Sequence, residues 1–274
     1  MQAGIKLIFV FDGAPPELKN KERQRRKDIK IKAEAKLKKA ETKEEQRKYA
    51  SMTSRLTRDM IEDSMDLVKA FGIPVVKAKS EAEAQAGYMV KENQADAIAS
   101  NDYDSLLFGA PKIIRNLNIV GKKKKAGAMK FVVVKPELLT LSDVLNHLGI
   151  DQDQLIVLAM LIGTDYNIGG IKGIGPKGAL KLIKEFKNDF ESLFDKVEWN
   201  NYFDYPWTEV FYLIKNMPVR KDYELSWKDV DEERLKEILI DKHEFSEERV
   251  DKIIVSLLKE KEKRKQKGLG DWFK

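Results

Sequence analysis

Ser80-Glu81-Ala82-Glu83 opens the stretch that decides the fold, and Asn101-Asp102-Tyr103-Asp104 closes it. Each tetrapeptide carries two acids spaced by two residues. Carboxylates held a few ångströms apart raise each other's pKa and destabilise the fold, whereas a divalent cation between them reverses that balance. Oxygen ligands without cysteine or a nearby histidine favour Mg²⁺ or Mn²⁺ over zinc. The sequence therefore predicts a carboxylate-bound metal site.

Apolar runs precede these acids and one further acid. Gly4 to Phe11 is a near-continuous apolar run that is typical of a central strand in a parallel sheet, and Asp12 follows it. Pro74-Val75-Val76 predicts a second strand, and Asp96 to Ser100 predicts a third. Ligands of open α/β sheets bind at the carboxyl ends of strands. We therefore expect an α/β fold with a mostly parallel central sheet, flanked by helices, that gathers the acids at one edge.

Two simpler interpretations compete with the metal site. Asp12 is a common residue type at the start of a turn, and the turn Asp-Gly-Ala-Pro-Pro follows here. Ser80 and Glu83 have the spacing of a capping box for the alanine-rich helix that comes next. A capping box leaves Glu81 unexplained, and three successive strands that each end in acids favour the metal site.

Composition limits the class of protein. The chain has 274 residues, no cysteine and two histidines, so disulfides, thiol catalysis and cysteine-ligated zinc are excluded. It has no apolar run long enough to span a membrane and no signal peptide pattern, so we expect a soluble, intracellular protein. The net charge of +6 beside a cluster of acids suggests that basic parts bind a phosphate-rich polymer and present it to the acids.

The segment from Lys19 to Lys48 is dense in bases and has no sustained apolar stripe, so it cannot pack as an ordinary core helix. After Glu41 the mixture of Glu and Lys is typical of a solvated face. The arginine-rich first half, which includes Arg23 and Arg25, suits phosphate contacts and is expected to order on nucleic acid.

A glycine-rich stretch, Gly169 to Ala179, opens the helix that continues through Phe186. Glycines let backbone N–H groups approach phosphate oxygens, and a helix N-terminus favours an anion. The stretch is neither a Walker loop nor a Rossmann fingerprint. It predicts a hairpin between helices in which Gly173, Gly175 and Lys177 bind a DNA backbone without recognising sequence. A plain helix–helix connection is the alternative.

The C-terminal residues form a candidate docking motif. Leu269, Trp272 and Phe273 lie at i, i+3 and i+4, so one helical turn places all three on one side. They follow the highly charged run from Lys259 to Lys265, and exposed apolar anchors of this kind are typical of a motif that binds a partner protein.

Together these pieces resemble the flap endonucleases of archaea and eukaryotes, members of the structure-specific 5′ nuclease superfamily with its PIN-like fold. The motifs that carry the resemblance occur in family order along nearly the whole chain: Phe9-Val10-Phe11-Asp12-Gly13-Ala14-Pro15-Pro16, Ser80-Glu81-Ala82-Glu83-Ala84, Asp102-Tyr103-Asp104, Gly163-Thr164-Asp165-Tyr166, Gly173-Ile174-Gly175-Pro176-Lys177 and a terminal Gln-x-x-Leu-x-x-Trp-Phe.

The resemblance implies a role for each motif. The implied ligands of two Mg²⁺ ions, for which Mn²⁺ can substitute, are Asp12, Glu81, Glu83, Asp102, Asp104 and Asp165. Lys19 and Arg26 fall where the family places basic catalytic residues, at the base of a helical arch. The segment Ile171 to Gly178 matches the family's helix-two-turn-helix, which also holds a K⁺ ion. The terminal motif, with Gln266, Leu269, Trp272 and Phe273, matches a sliding-clamp-binding motif.

The implied organisation is a nuclease domain over residues 1–258, with an arch at 17–50 and the helix-two-turn-helix at 163–187, followed by a clamp-binding tail at 259–274. The implied protein is a monomer that cleaves 5′ flaps of DNA during replication and repair and acts as a 5′–3′ exonuclease. Two departures stand out. The family's earlier strand with another aspartate ligand is not in this sequence, and a glycine is added at Gly169-Gly170, which would shift the hairpin relative to Asp165.

Two other functions remain open. Another superfamily member would act on bubbles or four-way junctions, although the clamp motif argues against it. A protein from a different class would bind DNA junctions and the clamp with impaired catalysis, because one family aspartate is not in this sequence.

Overall fold

The computed structural model describes residues 5–117, 122–124 and 131–270. Its contacts divide the chain into two compact units. The first unit comprises Met1–Phe11, Ser54–Lys77 and Lys221–Lys274, and the second comprises Asp12–Thr53 and Ala78–Arg220.

Short strands and many helices alternate along the described chain. The strands are β1 (Phe9–Phe11), β2 (Val75–Lys77), β3 (Ile98–Ala99), β4 (Lys112–Arg115), β5 (Lys122–Lys124), β6 (Phe131–Val133) and β7 (Glu137–Thr140). The α-helices are α1 (Asn20–Leu37), α2 (Lys43–Thr53), α3 (Arg58–Ala70), α4 (Ala82–Lys91), α5 (Asp104–Leu107), α6 (Leu141–Leu148), α7 (Gln152–Ile162), α8 (Pro176–Phe186), α9 (Phe190–Lys196), α10 (Trp207–Lys215), α11 (Glu232–Lys236) and α12 (Glu247–Gly270). Short 3-10 turns occupy Glu17–Lys19 and Trp199–Asn201, and a π-helix occupies Glu237–Lys242.

The first unit contains a parallel strand pair and a small helical core. β1 and β2 pair in parallel, with Phe9 opposite Val75. α3 begins behind Thr57, whose hydroxyl accepts a hydrogen bond from the Met60 N–H, as an N-cap should. It ends just before Gly72, whose φ of 73° is the left-handed backbone that commonly follows a helix C-terminus. The core of this unit consists of Ala70, Leu235, Ile238, Val250 and Ile254.

The second unit holds the larger core. β3 and β4 run parallel, β7 joins β4 antiparallel, and β5 and β6 form a separate antiparallel pair. α7 lies at the centre, where Val157, Met160 and Leu161 have no exposed surface. The aromatic residues that follow α8 pack mainly into this core, and Phe194 stacks on Trp207 with ring centroids 4.7 Å apart.

The observed architecture is the expected α/β class, with parallel pairs and a large helical content. The strands are short, and their hydrogen bonding is divided among three small sheets. The basic segment forms helices α1 and α2, and in α1 only Glu22 and Ala33 are buried. No helix in the described ranges has both the length and the apolar character needed to cross a bilayer.

Candidate metal centre and nucleic-acid interface

Three acids from two distant segments meet in the second unit. Asp12, Glu81 and Glu83 each place a carboxylate oxygen within 4.8 Å of the others. Glu81 is only 7% exposed, so its charge is largely withdrawn from solvent. The structure thus brings together an acid that follows β1 and the two acids that follow β2.

Backbone contacts explain how these segments meet. Gly13 N–H donates to Ser80 O at 2.7 Å, and Ala14 N–H donates to Lys79 O at 3.0 Å. Asp12 Oδ1 accepts the N–H of Ala82, the first residue of α4, at 2.8 Å. Asp12 therefore caps α4 from a remote part of the chain.

The capping box within Ser80 to Glu83 does not form. α4 has Glu81 as its N-cap residue, without a side-chain hydrogen bond, and the buried Ser80 hydroxyl has no partner in the described structure. The carboxylate of Asp12 satisfies the helix N-terminus instead, which leaves Glu83 free for the acid cluster.

Asp102 and Asp104 follow β3, as predicted, and the Asp104 N–H donates to Asp102 Oδ1 at 3.1 Å. Burial of the Asp104 carboxyl, together with the charges of Asp102, Asp165 and Glu83, raises its pKa to about 6. Burial also raises the pKa of Glu83, and the charges of Asp12, Glu81 and Asp102 add to the effect. Six predicted ligands thus lie in one electrostatic neighbourhood, of which Asp12, Glu81 and Glu83 form the tight group.

This arrangement fits a hard divalent cation. The donors are all carboxylate oxygens, which Mg²⁺ and Mn²⁺ prefer. The raised pKa values of Glu83 and Asp104 show that the protein alone does not neutralise the cluster. A bound cation would lower the pKa of both groups and remove their repulsion.

Two bases border the acids. Lys19 Nζ lies 2.7 Å from Glu81 Oε2 and 3.3 Å from Asp165 Oδ2. Burial alone would lower the pKa of Lys19, but the hydrogen bond and charge of Glu81, with those of Asp165, raise it. Arg26 Nη2 donates to both carboxylate oxygens of Asp165, at 3.0 and 3.1 Å. The two predicted basic residues therefore lie beside the predicted metal ligands.

Asn167 supports the candidate site, and sequence reasoning missed it. Its fully buried amide donates to Met160 O at 2.7 Å and accepts from the Thr164 hydroxyl at 2.6 Å. These bonds fix the loop that carries Asp165. An asparagine two residues after an acid gives no signal of its own, because its partners are set by tertiary packing.

Glu22 is a second residue that was missed. It is the only acid between Lys19 and Lys27, and it is 3% exposed on a helix whose neighbouring residues face solvent. Its spacing of three and four residues to Arg25 and Arg26 was a usable signal.

The glycine-rich hairpin joins α7 to α8 as predicted. Ile171 N–H donates to Leu161 O at 2.9 Å, which closes the hairpin onto the end of α7. Gly175 is the N-cap of α8, and Pro176 occupies its first turn. Gly173, Gly175 and Lys177 are exposed, and nothing lies within 4 Å of the space that a Cβ at either glycine would fill.

The remaining predicted binding residues lie elsewhere. Arg23 and Arg25 are exposed on α1. Gln266 and Leu269 lie in the helical backbone of α12, but their side chains are outside the described structure. Trp272 and Phe273 lie outside the described residues altogether.

Residues 72–165, which include five of the six predicted ligands, match the family model described as the XPG I-region. The whole chain is also similar to Flap endonuclease 1 of Thermofilum pendens, at 47% identity over 277 residues. That alignment covers 100% of this chain and 79% of the relative. This chain belongs to the flap endonuclease family.

Solved structures agree with the family. Flap endonuclease-1 from Methanococcus jannaschii matches with a TM-score of 0.68 and 39% identity, over 93% of this chain and 76% of that one. The catalytic core of Rad2 in complex with DNA substrate matches with a TM-score of 0.65 and 28% identity, over 93% of this chain and 79% of that one.

As a flap endonuclease, this chain is a structure-specific nuclease, a hydrolase of phosphodiester bonds in DNA replication and repair. Family membership also implies use of a divalent metal, with which the carboxylate cluster is compatible.

Proposed function

We propose that this flap endonuclease cleaves 5′ flaps at duplex junctions, and shortens 5′ ends as an exonuclease, by two-metal-ion hydrolysis. The observation that carries the proposal is the tight group of Asp12, Glu81 and Glu83, with Lys19 paired to Glu81 and Arg26 paired to the neighbouring Asp165. The proposed ligands of two Mg²⁺ ions are Asp12, Glu81, Glu83, Asp102, Asp104 and Asp165.

When bound, such ions lower the pKa of water and neutralise charge on the phosphate. The chain's own contribution is to hold the reacting phosphate. Lys19 and Arg26 lie within hydrogen-bond distance of the cluster carboxylates, so a phosphate that enters this site meets both cations. The Arg26 guanidinium can donate two parallel hydrogen bonds to a phosphate, which fixes orientation as well as charge.

The duplex is held at a distance from the reacting phosphate. Gly173, Gly175 and Lys177 present exposed backbone and a positive charge at the N-terminus of α8, which suits a phosphate backbone. Arg23 and Arg25 add positive charge on α1. We also propose that a K⁺ ion binds in the segment from Ile171 to Gly178. Because these contacts involve no base edge, DNA shape selects the junction.

The C-terminal motif tethers the enzyme to a sliding clamp. Gln266, Leu269, Trp272 and Phe273 are the proposed anchors, on a tail at 259–274 that follows the nuclease domain at 1–258. The aromatic and aliphatic side chains would fill an apolar pocket of the clamp.

The direct test is cleavage of a 5′-labelled flap substrate with Mg²⁺, in which this chain is compared with Asp104→Ala. We expect the substitution to abolish cleavage and to leave DNA binding equal or tighter, because a carboxylate that repels phosphate is removed. Cleavage by both proteins at the same rate would overturn the assignment of Asp104. Inactivity of both, with DNA binding retained, would favour the junction-binding alternative.

A further inference from the structure

Glu22 is a buried acid on an exposed basic helix. It is 3% exposed, while Arg23, Arg25 and Arg26 beside it are exposed. A carboxylate withdrawn from water destabilises a protein unless it is paired and hydrogen-bonded. The hydrogen-bond partners of Glu22 therefore indicate why an acid is present at this position.

Both carboxylate oxygens of Glu22 accept hydrogen bonds from arginines one turn along α1. Arg25 donates from Nε to Oε2 at 2.6 Å and from Nη2 to Oε1 at 2.8 Å. Arg26 donates from Nε to Oε1 at 2.7 Å. One acid thus holds two guanidinium groups. These bonds lower the pKa of Glu22 to about 2, so the carboxylate stays charged at any pH near neutrality.

Two nitrogens of the Arg26 guanidinium have different partners. Nε is bound to Glu22, and Nη2 is bound to both oxygens of Asp165. Asp165 belongs to the proposed metal ligands, whereas Glu22 lies outside the acid cluster. If Asp165 binds a metal ion instead, Nη2 loses its partner, and of these contacts only the one between Nε and Glu22 still fixes the side chain.

We propose that Glu22 is a positioning residue for phosphodiester hydrolysis, which holds Arg26 at Nε so that its Nη groups face the reacting phosphate. The inference rests on the proposed function, because it takes Arg26 to contact that phosphate. An arginine side chain has many rotamers, and a group that fixes one of them increases the fraction of molecules ready to react. Arg25 neutralises the second oxygen of Glu22 and keeps the buried charge paired.

The first test is single-turnover cleavage of a flap at saturating DNA and Mg²⁺ by Glu22→Gln. The glutamine has the same size but offers an N–H₂ group where a guanidinium needs an acceptor. We expect a rate about 10- to 100-fold below wild type, the scale of a small misplacement of a catalytic group, with DNA affinity little changed. Asp28→Asn is the matched control, because Asp28 lies on the same helix and contacts only Gln24 in the described structure. A rate for Glu22→Gln equal to that of Asp28→Asn would overturn the proposal.

A double-mutant cycle separates positioning from a structural role. If Glu22 acts through Arg26, then Glu22→Gln costs nothing more once Arg26→Ala is present. A double variant that is slower by the product of the two single losses would show that Glu22 acts independently.

A further variant leaves Glu22 and its packing intact. Lysine at position 26 carries the charge on one ammonium nitrogen, which cannot hold Glu22 at one nitrogen while a second nitrogen donates to phosphate. We therefore expect Arg26→Lys to lose nearly as much rate as Arg26→Ala. Near wild-type cleavage by Arg26→Lys would show that charge alone is sufficient and would reject the positioning role.

A readout without catalysis keeps this inference separate from the proposed function. In the ¹⁵N-labelled chain, we expect slow solvent exchange at the Nε–H of Arg26, and fast exchange in Glu22→Gln. Equal exchange in the two proteins would overturn the inference. A wild-type chain that shows the protected Nε–H but no cleavage with Mg²⁺ would contradict the proposed function and leave the Glu22–Arg26 contact established.

Discussion

At the scale of single residues, the candidate site is a balance of charges from distant parts of the chain. Lys19 and Glu81 are 62 positions apart, and Arg26 and Asp165 are 139 positions apart, yet each pair is hydrogen-bonded. Each base is hydrogen-bonded to a carboxylate that is a proposed metal ligand. Binding of metal and phosphate would therefore break these pairs. The carboxylates would bind the metal ions, and Lys19 and Arg26 would bind the phosphate.

Arg26→Ala tests the role of the arginine. We expect the single-turnover rate at saturating DNA to fall about 100-fold or more, the cost of removing one donor that stabilises transition-state charge. Lys27→Ala is the control, because it removes an exposed positive charge from the next position of α1. An unchanged rate for Arg26→Ala would remove it from the catalytic residues.

The raised pKa of Asp104 predicts a pH dependence of metal binding. Because the folded pKa is about 6, above the usual value of 3.8, the carboxyl is protonated below pH 6 and must release a proton to bind metal. We expect Mn²⁺ affinity, measured by calorimetry, to be nearly constant with respect to this group above pH 7. Below pH 6 it should fall by about tenfold per pH unit for each proton released.

Asp104→Asn provides the comparison, because it lacks that proton. Its Mn²⁺ affinity is expected to be weaker throughout but to depend less on pH below 6. An identical pH dependence in the two proteins would contradict the assignment. In metal-free protein, the same group favours folding at pH values below 3.8, and this contribution is lost as the pH rises through about 6.

At the scale of structural elements, the acids are held by the ends of short elements. Asp12 follows β1 and caps α4, Glu83 lies in the first turn of α4, and Asp104 begins α5. The loop after α7 carries Asp165 and leads directly into the hairpin that opens α8. The proposed duplex-binding hairpin and a candidate metal ligand are therefore joined by a short, hydrogen-bonded segment.

The two adjacent glycines of this hairpin differ in their surroundings. Gly170 has a φ of 57°, and a Cβ there would lie 2.4 Å from the backbone oxygen of Leu161. Gly169 has a φ of 84° but has nothing within 4 Å of the same position. Only at Gly170 does a side chain force two backbone segments apart.

Gly170→Ala should therefore destabilise the protein more than Gly169→Ala. For Gly169→Ala we expect a loss of about 1–2 kcal/mol in the free energy of unfolding, from the left-handed backbone alone. For Gly170→Ala the backbone clash adds to that cost, and flap binding should weaken because the hairpin moves away from α7. Denaturant unfolding and DNA binding measure these effects, and equal losses at both positions would contradict the packing described here.

At the scale of the whole molecule, every residue of the candidate site lies in the second unit, which also contains the larger core. The first unit contains the long C-terminal helix α12 and a smaller core. The proposed clamp-binding tail therefore belongs to a different unit from the proposed catalytic residues, so removing it should leave catalysis unchanged.

Deletion of Gln266 to Lys274 is the corresponding test. We expect the shortened enzyme to lose binding to the sliding clamp and to cleave a flap at the wild-type rate without the clamp. Surface plasmon resonance on immobilised clamp and unstimulated cleavage give the two measurements. Retained clamp affinity would show that the anchors lie elsewhere.

Local pattern by itself determined much of this protein. The strands β1, β2 and β3, the acids that follow them and the helix α8 all depend on neighbours in sequence, so they were predicted correctly. The order of the motifs along the chain also carried the family resemblance, because each motif combines a turn geometry with a chemically necessary side chain.

Only the tertiary structure decided how these parts meet. Asp12, rather than a capping box of Ser80 and Glu83, satisfies the start of α4, and Arg26 binds Asp165, 139 positions away. Local sequence also did not predict that the strands divide among three small sheets. These features depend on contacts between remote residues, whose free energy comes from burial and charge pairing in the folded chain and leaves little trace in local sequence.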